Sequence, residues 1–463
     1  MRFALILSAI LIFFSAQAQE KDSTQSWIVS EINLQGNKIT KDYIILRELE
    51  FQVGDSIQSE RLNYLSDRSK NNVFNTGLFH IVTILPSYNN SEISFTIIVS
   101  ERWYVWPIPI IENADRNFNT WWQNKDFDRL SYGLLLDWHN FRGRNELLQL
   151  TVKAGFERAY EAAYEFPYIN KKKTLGLRFS GGYISNKEVN YTSIDNKREF
   201  LKVEEYDIQE QFYGNVRLTI RGKLYSRNEF TLGYTNTHIS DTLKTVSYEY
   251  LNNNDLRNEY LRLSYLFKFD KRNYIDYPLT GTMFQFSAVK RGLGILDHDV
   301  NLLEAEVTFN NHFHLFKRLY YANGVTAMTN LLEKPAYKYQ RGLGYGNNFV
   351  RGYELYVMDA QHFLLTKNNL KYELIKPGFK TFDFIPFKKF NTISYATYIN
   401  VFADLGYAFD DIYNQQNSLS NKLLLGYGIG LDFVTYYDIV IRTEFSLNTE
   451  GDNGFYLHFN KSI

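Results

Sequence analysis

His312 and His314 stand two residues apart. On a strand that spacing puts both imidazoles on one face, where two histidines can share a metal ion. No third ligand is visible in the sequence, and strand histidines of this kind are usually packed or solvated, so no metal is expected. A hydroxyl nucleophile would need a histidine and an orienting partner within reach. The nearest arrangement, His139-Asn140 at a strand end, has no G-x-S-x-G elbow beside it. The run Gly342-Leu343-Gly344-Tyr345-Gly346 is as glycine-rich as a phosphate loop, yet no helix opening on Lys-Ser/Thr follows. The absence of Cys removes thiolate ligands, thiol nucleophiles and disulfides together. No enzyme reading survives, and neither a cofactor nor a metal is expected.

What remains is the wider stretch Gly342 to Tyr353, G-L-G-Y-G-N-N-F-V-R-G-Y. Glycine and asparagine supply the positive-φ conformations of a tightly folded loop. Arg351 is a fixed positive fork that needs a carboxylate partner if it is buried. On local composition this is an ordinary glycine-rich turn. The elements around it decide otherwise.

From Trp103 onward the sequence alternates with a period of two. Leu148, Leu150, Val152, Ala154 and Phe156 share one face, with Gln149, Thr151 and Lys153 on the other. Leu261, Leu263, Tyr265, Phe267 and Phe269 alternate with Arg262, Ser264 and Lys268, and Ile439, Ile441, Phe445 and Leu447 with Arg442, Glu444 and Ser446. Soluble strands usually run about five or six residues. These run about ten, the length that crosses a bilayer at a tilt. One apolar face, one polar face and many aromatics (36 Tyr and 36 Phe) predict a transmembrane antiparallel barrel with a wet lumen. Sixteen segments are expected, near 103, 131, 146, 160, 174, 211, 227, 259, 280, 303, 319, 361, 393, 421, 436 and 453. Connections at 185–210, 239–258 and 330–358 are long and those at 221–227 and 315–319 short. The segment 376–392 is too long for a usual turn on its side. Lys171 to Lys173 read as a solvated or headgroup-facing turn.

Charge is balanced, 51 basic against 51 acidic residues, so nucleic acid is not an expected partner. Arg2, the apolar run Ala4 to Phe14 and Ala16-Gln17-Ala18 predict a signal peptide over residues 1–18, followed by a linker over 19–26. Residues 27–101 change period. A strand from Trp27 to Leu34 closes at Gly36-Asn37, and Thr40 is placed to cap a helix with Ile39, Tyr43 and Leu46 on its apolar side. A second helix from about Ser59 ends at Gly77, and two strands, 79–85 and 92–100, follow. The order is β-α-α-β-β, and the barrel takes residues 102–463.

That order, with G-N-K after the first strand and N-T-G-L-F-H (Gly77, Phe79) opening the second, resembles a POTRA domain. The barrel resembles the BamA/TamA outer-membrane assembly (surface antigen) family. V-R-G-Y at Val350, Arg351, Gly352 and Tyr353 matches the family's signature loop. D-Y-P-L-T-G (Asp276, Pro278, Gly281), K-Y-E-L at 371–374 and F-A-D-L-G (Phe402, Gly406) add support. The resemblance implies that the loop folds into the barrel and that Arg351 meets acidic residues on the inner wall, at the matching positions Glu373 and Asp404. Alternation reaches the same side: Leu370, Tyr372 and Leu374 face lipid and leave Lys371 and Glu373 inside, while Ile399, Val401, Ala403 and Leu405 leave Asn400 and Asp404 inside. Two departures stand out. One POTRA-like module is present where the main assembly factors carry several, and the final F-Y-L-H-F-N-K-S-I lacks a terminal aromatic residue.

The family implies a Gram-negative outer-membrane protein with its N-terminal domain in the periplasm. Its partners would be outer-membrane lipid, unfolded outer-membrane or secreted polypeptides, and accessory lipoproteins. The expected function is protein assembly or translocation: strand capture at the POTRA edge, then templating at the seam between first and last barrel strands. The alternatives are a passive diffusion channel and a secretion pore dedicated to one client. A channel needs neither a POTRA module nor a folded-in arginine loop.

Overall fold

Hydrophobic periodicity changes once along this chain, and the architecture changes with it. The computed structural model describes residues 25–113, 130–251, 255–297, 300–332, 334–386, 390–412, 414–435 and 439–460. The expected signal peptide lies outside them.

The first unit holds β1 (Ser26–Gln35), α1 (Asp42–Leu46), β2 (Ser56–Gln58), α2 (Ser59–Phe74), β3 (Phe79–Asn89) and β4 (Glu92–Glu101). Its sheet runs β2-β1-β4-β3, with β1 and β4 parallel and the other pairs antiparallel. Gly36 leaves β1 at φ 95°, and Asn37 Nδ2 then donates to the Thr40 carbonyl (3.1 Å) and to Asp42 Oδ1 (2.7 Å). Gly77, at φ 73°, follows α2, and Phe79 enters a core of Ile44, Ile45, Phe51, Val73, Phe95 and neighbours.

Two details differ from the sequence expectation. Thr40 does not cap α1: its hydroxyl is taken by the Tyr104 hydroxyl (3.0 Å) and by Asn140 Nδ2 (2.8 Å), a barrel turn the local sequence cannot announce. The buried side of α1 is Ile44 and Ile45, not Ile39 and Leu46, because a five-residue helix is too short to display a period.

A sheet of sixteen antiparallel strands follows. It begins with β5 (Val105–Asn113), β6 (Leu130–Phe141), β7 (Glu146–Gly155), β8 (Glu157–Phe166) and β9 (Leu175–Asn186). A separate hairpin, β10 (Glu188–Ile194) and β11 (Lys197–Lys202), precedes β12 (Gln209–Ile220) and β13 (Ser226–Ile239). After α3 (Asp241–Val246) come β14 (Arg257–Asp270), β15 (Gly281–Arg291), β16 (Leu302–Phe316) and β17 (Leu319–Asn330). The last five are β18 (His362–Thr381), β19 (Thr392–Phe409), β20 (Leu423–Val434), β21 (Val440–Asn448) and β22 (Asn453–Asn460). Each of the sixteen expected segments corresponds to one of these strands.

Side chains fall as the alternation dictates. Leu370, Tyr372 and Leu374 are exposed outside, while Lys371 and Glu373 are buried inside. On β19, Ile399, Val401 and Leu405 point out, and Asn400, Phe402 and Asp404 point in. The long segment 376–392 is explained by the strands themselves. β18 pairs with β17 only to Tyr372, and β19 with β20 only from Ala396, yet β18 and β19 stay paired out to Thr381 and Thr392. A two-stranded hairpin therefore projects beyond the rim on the side of the first domain.

The first domain is docked to the barrel turns on that side. Glu48 accepts two bonds from Arg221, both 2.6 Å, in the β12–β13 turn. Arg68 donates to the Tyr225 hydroxyl (3.1 Å) and the Lys271 carbonyl (3.2 Å). Asn75 Nδ2 donates to the Asn273 carbonyl at 3.3 Å. At the other end, the β10–β11 hairpin, α3 and the connection after β17 pack on one another around Val189, Leu243 and Tyr337, and the connection after β19 is hydrogen-bonded to the hairpin. The Asn196 N–H donates to Asn417 Oδ1 (2.8 Å), and the Val357 N–H to the Asn196 carbonyl (2.8 Å). These connections leave the wall at separated strands, so their contacts cap the mouth.

Candidate functional site

The inturned loop between β17 and β18 occupies the lumen beneath this cap. Its entry and exit are joined where Leu343 and Met358 form an isolated bridge. Leu343, Val350, Tyr353, Met358 and Ala360 are fully buried, forming one apolar cluster with Phe363, Leu365, Ala408 and Leu424 of the wall. An apolar cluster inside a barrel is dry, so polar groups that enter it must find partners.

The wall is cut back where the loop lies. A Cβ on Gly426 would lie 1.6 Å from the Arg351 carbonyl oxygen, and one on Gly406 2.4 Å from Val350 Cγ2. Gly352 takes φ 91° and passes so close to Leu447 that a Cβ would meet its carbonyl oxygen at 2.8 Å. The glycine of F-A-D-L-G thus serves as the floor on which Val350 sits.

Arg351 is held on every side. Its Nε and Nη2 donate to Asp404 Oδ2 (2.8 Å) and Oδ1 (2.6 Å), a bidentate pair, and its backbone N–H also reaches Asp404 Oδ2 (3.2 Å). Nη1 donates to Asn369 Oδ1 (2.8 Å) and Glu444 Oε1 (3.2 Å). The guanidinium carbon lies 3.8 Å from the centre of the Phe402 ring, a cation–π contact that closes the face no carboxylate covers. Side-chain exposure is 4% for Arg351, 0% for Asp404 and 1% for Glu444. The expected wet lumen is dry at this point. Tyr353 follows with its hydroxyl 3.0 Å from Thr449 Oγ1.

Glu373 is not a partner of Arg351. Asp404 pairs in register with Lys367, and Glu373 lies six residues farther along β18, about 20 Å away at strand rise. It stands at the opposite rim, 3.9 Å from Arg318. Alternation assigned it correctly to the inner face but carries no information on depth. The second acidic partner is Glu444 on β21, whose position on the polar face of its strand was visible in the sequence.

A second network lies nearer the first domain. Asp276 and Pro278 flank Tyr277 in the β14–β15 turn, and Gly281 opens β15. The Tyr277 hydroxyl donates to Asp432 Oδ2 (2.7 Å), to which Arg442 Nη2 also donates (3.2 Å), while Arg442 Nε donates to Oδ1 (2.7 Å). Lys371 lies over the Tyr277 ring at 4.0 Å. D-Y-P-L-T-G therefore marks a turn that tucks inward and meets β20 and β21 across the lumen. Of the paired histidines, His312 is half-buried with both ring nitrogens lacking a hydrogen bond, and His314 Nε2 lies 2.9 Å from the Lys317 carbonyl.

Glu354, just past Tyr353, escaped the sequence reading. Its Oε2 accepts from the Gly352 N–H at 2.8 Å. Burial pushes its carboxyl up to about 7; Glu444 adds to the rise, which the backbone donors and Arg351 oppose.

Comparison with known proteins follows the same division. Residues 28–102 match the family model described as POTRA, surface antigen variable number repeat. Over 94% of its length the chain is similar to the crystal structure of BamA from Haemophilus ducreyi lacking POTRA domains 1–3, covering 84% of that chain at 15% identity with a TM-score of 0.52. It is also similar to CdiB from Escherichia coli, over 96% of this chain and 92% of that one, at 12% identity and a TM-score of 0.52. Identities this low speak for the fold alone. No curated protein matches the sequence closely.

Proposed function

We propose that this chain, a single POTRA domain docked to a BamA-like sixteen-stranded barrel, captures unfolded polypeptide in the periplasm and inserts it into, or moves it across, the outer membrane. The observation that carries this reading is the pairing of a docked POTRA domain with a lumen filled by the Arg351 loop. A diffusion channel gains nothing from either. β3 is the outer strand of the POTRA sheet, and its residues 80–83 line a cavity of about 420 Å³ shared with the projecting β18–β19 hairpin. An extended client strand can add to such an edge through main-chain hydrogen bonds. The hairpin connects onward to the first barrel strand, since Phe390 packs on Trp103 (6.0 Å) and Trp106 (6.3 Å) at the start of β5. A strand held at the POTRA edge is thereby presented beside the seam between β5 and β22. There, client main-chain groups can pair with the edges of β5 and β22, the two ends of the sheet, without nucleotide or cofactor.

The test is photocross-linking in cells from a reactive residue at Thr83 on β3. Capture of outer-membrane or secreted chains before they fold is the expected result. Capture of none, together with solute conductance through the purified barrel, would favour the channel. Cross-links to one exported protein alone would favour the dedicated secretion pore.

A further inference from the structure

Beside the arginine network three more ligand-type groups converge. A carboxylate oxygen of Glu354, one of Glu444 and an imidazole nitrogen of His458 all lie within 4.8 Å of one another. They come from the loop, from β21 and from β22. Glu354 is 6% exposed, and its Oε1 is buried with no hydrogen-bond partner. His458 Nε2 is likewise buried without a hydrogen bond and stands 3.5 Å from a Glu444 oxygen. The His458 ring is held between Phe349 (5.9 Å) and Tyr456 (6.5 Å), nearly parallel to both, which fixes where its nitrogen points.

We propose that Glu354, Glu444 and His458 form a site for one divalent transition-metal ion of the Zn²⁺ type, which fastens the inturned loop to the last two strands of the barrel.

The donor set is an imidazole and two carboxylates, the mixture such an ion prefers. Ligand atoms around a tetrahedral Zn²⁺ stand about 3.4 Å apart, given bond lengths of about 2.1 Å. The His458–Glu444 separation already fits, and Glu354 needs a small side-chain movement to complete the set. The surrounding cations leave one oxygen of Glu444 to the site. Arg351 spends its fork on Asp404 and Arg442 its own on Asp432, and both also approach Glu444 Oε1 (3.2 and 3.8 Å), whereas it is Oε2 that faces His458; Lys367 donates to the Asn347 carbonyl (3.3 Å) while lying over the Phe349 ring. Neither the Glu354 oxygen nor the His458 nitrogen is served by them, and a buried polar atom left unmet is costly. A proton on Glu354 would remove the charge but leave His458 unserved; an ion serves both. Binding at neutral pH then releases part of the proton that Glu354 holds.

This site can be tested without any client, so its failure would leave the assembly reading standing. Full-length protein in detergent, stripped with a chelator, is titrated with Zn²⁺ in two buffers of different ionisation enthalpy, and Co²⁺ is followed by visible absorption. One ion per chain, with proton release, is expected. Glu354→Gln and His458→Phe should each weaken binding by more than about tenfold, whereas His314→Ala should not. Zn²⁺ should also slow hydrogen exchange in β22 of the wild type. Heat-modifiable migration on electrophoresis establishes that each variant is folded. The absence of a stoichiometric ion, or an ion bound equally well by both folded ligand variants, would overturn the proposal.

Discussion

Arg351 and Glu444 meet at 3.2 Å across 93 residues of chain, tying the inturned loop to the strand before last. With Asp404 on β19 gripping the same guanidinium, the loop is fastened at two points on the wall. A glycine-rich loop loses much conformational entropy when fixed, about 1–2 kcal/mol per residue, so its anchors must be strong and directional. A bidentate pair plus a second carboxylate and an aromatic face meets that need.

Arg351→Ala should release the loop and leave Asp404 buried without its ion-pair partner, at a cost of about 3–5 kcal/mol. Hydrogen exchange over 340–358 is expected to quicken strongly. Arg351→Lys should restore only part of the protection, because a point charge cannot grip Asp404 with both arms.

Glu444 and Glu373, both on the inner wall, separate cleanly. Glu444→Gln should speed exchange in the loop, whereas Glu373→Gln, at the far rim beside Arg318, should leave it unchanged. Equal effects would mean the loop reaches deeper than its hydrogen bonds describe.

Gly426→Ala tests the room the wall leaves. A Cβ 1.6 Å from the Arg351 carbonyl oxygen admits no local adjustment, so the loop must shift or leave. The expected outcome is loosened exchange over 340–358 in a barrel that still folds. Gly214, whose added Cβ meets nothing within 4 Å, is the control site.

The POTRA contact rests on Glu48 and Arg221. Burial works against the Arg221 charge, but Glu48 beside it prevails and holds the guanidinium pKa above its ordinary value. Glu48→Gln should weaken docking by about 1–3 kcal/mol, measured as increased spread in spin-label distances between POTRA and barrel. Moderate salt should do little to the wild-type contact, because a buried pair is poorly screened.

Glu354 makes the loop sensitive to pH. Its carboxyl is raised from an ordinary value near 4.5 to about 7, so the folded loop binds more protons than the unfolded chain between those limits. The contribution of Glu354 to loop stability should therefore fall as pH rises from about 4.5 to 7 in metal-free protein. The difference in hydrogen-exchange protection between wild type and Glu354→Gln, compared at pH 5 and at pH 8, measures this: the wild type is expected to lose protection relative to the variant as pH rises.

Much of this fold was legible because its information is local and repeated. Alternation along strands of about ten residues put Asp404, Asn400 and Glu444 on the inner face, and glycine with asparagine signalled the loop. Depth was not legible: period two says which side a residue faces, never which residues across the lumen share its level. That is why alternation could not correct the resemblance, which set Glu373 beside Arg351, and why Glu444, though placed on the inner face, was not matched to Arg351. The β18–β19 hairpin was hidden for a related reason, since its residues keep strand character after their outer neighbours have ended. Thr40 shows the other limit, a local capping signal overridden by Tyr104 and Asn140 from the barrel.

The central claim is that this barrel handles polypeptide rather than solutes. Depleting the protein and profiling the outer-membrane and secreted proteome, with complementation by wild type or Arg351→Ala, tests it most directly. Selective loss of outer-membrane or exported proteins, restored by wild type and restored poorly by Arg351→Ala, is the predicted result. An unchanged proteome accompanied by reduced solute permeability would contradict it.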